Sequence, residues 1–125
     1  MNKTAIFIFS DPKTGGDEAL GRAFNGLAAA YDIKNSGGEV SVTFQGAGTR
    51  WPTLITQADH PLHGLYNLVK GNIAGVSCGC ADVFGAAEGA KACGMNVISE
   101  NPVPKTTGLA SFGKLLKFGT TILTF

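Results

Sequence analysis

The run Ala5-Ile6-Phe7-Ile8-Phe9 contains no polar residue. A strand that is apolar at every position needs cover on both faces, which is the condition of a strand inside a parallel sheet flanked by helices. Val40, Val42 and Phe44 alternate within Glu39–Phe44, Ile73–Cys78 is a third run, Met95–Ile98 a short fourth, and Thr120–Phe125 a β-branched and aromatic fifth. Stretches of helical spacing separate these runs. Behind Asp17 and Glu18, residues Leu20, Phe24, Leu27 and Tyr31 fall on one face of a helix that Asn35-Ser36-Gly37-Gly38 stops. Thr53–Ala58 allows a short helical turn. Pro61 suits the first turn of a second helix, with Leu62, Leu65, Tyr66 and Val69 as its apolar side. Ala81–Ala92 reads as a third helix built mostly of alanine and glycine, with Gly94 as its cap, and Leu109, Phe112, Leu115 and Leu116 mark a fourth, closed by Gly119. Strand and helix alternate to the last residue. The expected fold is therefore α/β, a three-layer α/β/α sandwich around an open, mainly parallel five-stranded sheet, in one domain over residues 1–125.

Composition narrows the function classes. Ten basic and nine acidic residues give a net charge of +1, and neither sign dominates any stretch, so neither a nucleic-acid partner nor a membrane surface is expected. The 18 glycines are not periodic, which excludes collagen and linker readings. The first apolar run is too short for a signal-peptide core, and no stretch approaches the roughly 20 apolar residues of a membrane span. A cytoplasmic protein is expected. Three cysteines are an odd number and do not make a complete disulfide framework.

The chemistry concentrates where the third run meets the third helix, at Val76-Ser77-Cys78-Gly79-Cys80-Ala81-Asp82. In a parallel sheet the carboxyl end of a strand facing a helix N-terminus is where ligands and reactive groups collect. A cysteine attacks as its thiolate, and a helix beginning near Ala81 would aim unpaired backbone N–H groups back at Cys78. Gly79 lets the backbone approach the sulfur closely, with no Cβ in the way. Asp82 opposes an anion if it turns inward and is an ordinary first-turn charge if it turns out. Against the reactive thiol stands a buried Cys78 acting as a small hydrophobe. Cys80 is a resolving thiol, a metal ligand or a packed residue; Cys93, late in the helix, reads as packing. His60 and His63 are candidate partners for Cys78, although their spacing matches no zinc motif. Arg50, beside Trp51, stands in a loop on the same side of the sheet, where it could steer an anionic sulfur donor or simply be solvated. Gly46-Ala47-Gly48 lacks the third glycine of a dinucleotide turn, and no Walker sequence or Ser/His/Asp set is present.

On Ile6-Phe7-Ile8, on Val76-Ser77-Cys78-Gly79-Cys80-Ala81, and on the closing Gly108–Leu116 and Thr120–Phe125 segments, the chain resembles the DsrE/DsrF-like family of small sulfur-relay proteins, with its DsrE and TusD-type subunits. The resemblance implies an α/β/α sandwich assembled as a homo-oligomer, a trimer or hexamer. It also implies a persulfide-carrying cysteine at Cys78, sulfur donor and acceptor proteins as partners, and no cofactor; on the Cys/His spacing no metal is expected either. Such a carrier is a possible sulfurtransferase. Cys80 stands where many relatives have Asn, which leaves a Cys78–Cys80 dithiol role open and makes both residues candidate catalytic groups. The Glu100–Thr107 segment, with two prolines, is longer than in relatives. A different class of function, a non-catalytic oligomeric module binding a small ligand or a protein, keeps the same fold with its cysteines in the core.

Overall fold

The computed structural model describes residues 2–125. Five strands, β1 (Lys3–Ile8), β2 (Glu39–Phe44), β3 (Ile73–Ser77), β4 (Val97–Ile98) and β5 (Thr121–Thr124), form one sheet in the order β4-β3-β2-β1-β5, and every pair is parallel. The helices are α1 (Gly16–Asn35), α2 (Pro52–Ile55), α3 (His63–Val69), α4 (Cys78–Val83), α5 (Ala87–Ala92) and α6 (Phe112–Lys117), with short 3₁₀ turns at Gly46–Arg50 and Lys70–Asn72. The expected α/β sandwich is present.

Its layers are unequal. One core joins Ile6, Ile8, Val42, Phe44 and Val76 of the sheet to side chains of α1 to α5. The other is small: Ala5, Phe7 and Ala110, with Phe112, Leu115 and Ile122 packed on them. Crossovers between parallel strands are right-handed, and β1 to β4 step one way along the sheet, so their helices land on one face. Only the return to β5 crosses the other way, and it brings α6 alone.

Three expectations from the sequence are corrected. The buried side of α1 is Ala19, Ala23, Gly26, Leu27 and Ala30, whereas Phe24 is 50% and Tyr31 40% exposed. Small residues let α1 lie close to the sheet, and this turns the large aromatics outward. The helix expected over 81–92 is two helices, broken between Phe84 and Ala86 with Gly85 at φ +68°. The last helix begins at Phe112, because Leu109 instead pairs antiparallel with Asn101. That bridge ties the base of a strap, residues 99–111, laid over the α6 face. No helix among the described residues is long and apolar enough to cross a membrane.

Candidate functional site

Strand β3 ends at Ser77 and α4 starts at once, so Cys78 is the first residue of the helix and not the last of the strand. Ser77 would be a natural cap for α4. Its Oγ instead accepts the Ala110 N–H at 3.1 Å, which fastens the strap to the sheet. A second tie is the Gly79 N–H, which donates to the Gly108 carbonyl at 2.6 Å. A Cβ on residue 79 would stand 2.9 Å from Leu109 Cδ1 and 3.1 Å from Gly108 O. Glycine is thus what lets the strap close onto the helix start.

The strap delivers a partner to the sulfur. Cys78 Sγ donates to Thr107 Oγ1 at 3.2 Å, and the Thr107 hydroxyl donates to Asp82 Oδ2 at 2.5 Å. Cys78 is half-buried, and Thr107 and Asp82 are exposed. Asp82 lies one turn along α4 from Cys78, where i and i+4 side chains share a face. The result is a hydrogen-bonded path from a thiol through a hydroxyl to a carboxylate in water. This differs from the expected cradle of amides. The helix begins at the cysteine itself, the Gly79 N–H is already committed to Gly108, and the partner of the sulfur is a side chain from a distant loop.

The other residues singled out in the sequence fall elsewhere. Cys80 is buried within α4, and all three cysteines are free thiols. Residues two apart on a helix do not face each other, so a Cys78–Cys80 bridge requires the first turn of α4 to unwind. Cys93 Sγ lies 3.5 Å from Thr56 Oγ1, between α5 and α2. His60 Nδ1 accepts the Leu62 N–H at 3.1 Å, and its ring stands edge-on to Trp51. Burial pushes its pKa down, a shift that the nearby Asp59 carboxylate partly opposes. His63 is held by the Ile55 carbonyl and Asn67. Both rings are thus committed to contacts of the α2–α3 segment. No group of three or more His, Cys, Asp or Glu side chains among the described residues is placed to hold a metal ion.

Arg50 pairs with Asp11 at 3.0 Å, donates to the Phe84 carbonyl at 3.2 Å and lies over the Phe84 ring. It locks the loop after β1 to the α4–α5 break. The Thr14 hydroxyl, with the Lys13 N–H and Arg50, holds the Asp11 carboxyl below the usual carboxylate range. Trp51 is fully buried and donates to Ser10 O at 2.8 Å.

Thr107 was not singled out in the sequence, because nothing local marks it. The available signal was the i, i+4 spacing of Cys78 and Asp82. Gln45 also emerges only in three dimensions. The register that sets Phe44 beside Val76 carries Gln45 beside Ser77 on the α6 face, buried, with Oε1 lacking any hydrogen-bond partner.

No family model matches the chain, and no curated protein matches it. Among solved structures, a conserved protein of unknown function, BT1422 from Bacteroides thetaiotaomicron, superposes with a TM-score of 0.64 over 99% of this chain and 95% of that one, at 19% identity. That likeness shows the fold.

Proposed function

We propose that the protein is a cytoplasmic sulfur carrier of the DsrE/DsrF type, a sulfurtransferase that holds sulfane sulfur as a persulfide on Cys78. The observation that supports this most is the Cys78–Thr107–Asp82 chain on a half-exposed, reduced thiol. In the resting state the sulfur proton points at Thr107 Oγ1. It leaves along the hydrogen-bonded path toward Asp82 and water. The Thr107 hydroxyl, a donor as well as an acceptor, then turns to the sulfur anion. The thiolate attacks the outer sulfur of a donor persulfide R–S–SH. A Cys78 S–S bond forms, the donor S–S bond breaks, and R–S⁻ leaves to take up a proton. An acceptor thiolate attacks the outer sulfur of Cys78–S–SH in the same way and returns Cys78 to its thiolate. No net oxidant or reductant is required.

Donor and acceptor are proteins in this reading, and the carrier is a homo-oligomer. The outward Phe24 and Tyr31 of α1 and Leu68 of α3 give it apolar surface to bury against further copies.

Incubation of the reduced protein with glutathione persulfide, followed by intact and peptide mass spectrometry, tests the proposal. The expected result is a gain of one sulfur atom on Cys78, reversed by dithiothreitol and absent from Cys78→Ser. No gain in the wild type, or a gain that persists in Cys78→Ser, overturns it. Thr107→Val should load more slowly, by roughly ten-fold if the hydrogen bond to the sulfur anion is worth the usual charged-group amount.

A further inference from the structure

Sulfur transfer at Cys78 sets an electrostatic problem. A donor persulfide is mostly ionised in neutral water, and an acceptor attacks as its thiolate, so both reactants arrive negative. Asp82 adds a carboxylate one turn along α4. The pocket of about 310 Å³ between α6 and the sheet, with Phe7 and Leu115 in its wall, does not include Cys78. The half-buried sulfur therefore meets its reactants at the surface, where local charge governs approach. The positive groups described above are already committed. Arg50 is held by Asp11 and the Phe84 carbonyl, the Gly79 N–H by Gly108, and both histidine rings by the α2–α3 segment.

The strap carries a free cation in a strained place. The Thr106 N–H donates to the Val103 carbonyl at 3.2 Å and closes a turn with Pro104 and Lys105 at its centre. Lys105 has φ +67°, the one non-glycine residue at positive φ among the described residues; Gly108 of the same strap shows the usual solution. Proline followed by positive φ makes a type II turn, whose third position favours glycine or asparagine. Lysine there strains the backbone, and strain of this kind collects at functional sites. Packing does not explain it, because the residue is exposed, and no ion pair among the described residues involves it. Glu100, the other charge of the strap, is taken by Lys114.

Lys105 stands two residues before Thr107, whose hydroxyl touches both Cys78 and Asp82. From there its four-carbon stem can carry the ammonium to within about 8 Å of the sulfur, one Debye length in physiological salt. On the sulfur-carrier reading of Cys78, we infer that Lys105 is a specificity-determining residue, its ammonium offsetting Asp82 and drawing anionic sulfur reactants, persulfides and thiolates, to the thiol.

Alkylation of the full chain by iodoacetate and by iodoacetamide tests this. In both reactions the Cys78 thiolate displaces iodide and forms one S–C bond, and the reagents differ in charge. The ratio of the two rates at Cys78, read by peptide mass spectrometry, cancels any change in the thiolate population. Lys105→Gln should lower the iodoacetate-to-iodoacetamide ratio by about two- to three-fold at low ionic strength, the effect of one unit charge at roughly 8 Å in water. Added salt should shrink that difference, and Lys105→Arg should keep the wild-type ratio. Lys105→Gly should lower the ratio as Lys105→Gln does while raising the denaturant midpoint, because glycine takes positive φ without strain. Equal ratios in the wild type and Lys105→Gln overturn the inference, as does a Lys105→Arg variant that behaves like Lys105→Gln. A midpoint that falls in Lys105→Gly makes the lysine a fastening of the strap and overturns it too. No sulfur is transferred in these reactions, so their outcome is independent of whether Cys78 loads from glutathione persulfide.

Discussion

The two faces of the sheet are built on different terms. Toward α1–α5 the strands present Ile6, Ile8, Val42, Phe44 and Val76, and these meet Leu27, Trp51, Ile55 and Val69 with essentially no solvent between them. Toward α6 the same strands present Ala5 and Phe7, but also Thr43 and Ser77, with Gln45 and Thr120 at their ends, and one six-residue helix and the strap cover them. The handedness of the crossovers produces this imbalance. Its consequence is a division of labour. Burial on the first face supplies most of the stability, and the second, thinly covered, keeps polar groups, a cavity and the strap that brings Thr107 to Cys78.

The sharpest test of that division is a pair of equal truncations. Leu27→Ala removes a fully buried side chain from the dense face and should cost about 2–5 kcal/mol. Leu115→Ala removes the same atoms from a half-buried site beside the pocket and should cost about 1 kcal/mol. Denaturant midpoints at unchanged m-value measure both. Equal losses would mean that α6 is as much a part of the core as α1, and the comparison would fail.

This asymmetry also explains what could be read from the sequence. The apolar run through Ile6 and Ile8 and the alternation at Val40, Val42 and Phe44 announce strands, because strand burial leaves a local period. The parallel sheet, its element order and the junction at Cys78 follow from them. The α1 face was misjudged because Phe24 and Tyr31 outweigh alanine on any hydrophobic count, while alanine and Gly26 are what close helix-to-sheet packing selects. The break at Gly85 was hidden inside an alanine-rich stretch with no strong period. Thr107 was out of reach for a different reason. It lies 29 positions beyond Cys78 and reaches it through a strap held by backbone bonds and by Ser77 Oγ, contacts that leave no local period in the sequence.

Gly79→Ala probes the seam between α4 and the strap. The new methyl would press on Leu109 Cδ1, which can yield, and on the Gly108 carbonyl, which is hydrogen-bonded and can yield less. A loss of about 1–2 kcal/mol is expected, within the usual range for overpacking. The more telling readout is chemical. If the strap lifts, Thr107 leaves the sulfur, and the rate of Cys78 alkylation by iodoacetamide should come to match that of Thr107→Val. An unchanged alkylation rate in Gly79→Ala would show that the strap does not control the thiol.

Gln45→Met addresses the buried polar groups of the thin face. The native Oε1 has no donor, and an unpaired buried acceptor costs free energy that a thioether of similar shape does not. If that carbonyl is idle, the variant should gain up to about 1 kcal/mol. A loss instead would mean that a water molecule or a ligand satisfies the amide.

The smallest effect belongs to the dense side, where His60 is the group whose titration is set by burial. Its Nδ1 accepts the Leu62 N–H, an arrangement that only the neutral ring can make, and desolvation holds its pKa below the ordinary imidazole value. In the unfolded chain the ring takes a proton near that ordinary value, about 6.5. Just below it the unfolded state binds more protons than the folded one, so stability falls as pH drops through this window and is fully present above it. His60→Asn keeps a side-chain acceptor for Leu62 and removes the titration. The variant's midpoint should therefore vary less between neutral and mildly acidic pH than that of the wild type. Identical pH profiles would place the acid-sensitive groups elsewhere, with the Asp11–Thr14–Arg50 cluster the next to examine, since its depressed carboxyl loses its contribution only at still lower pH.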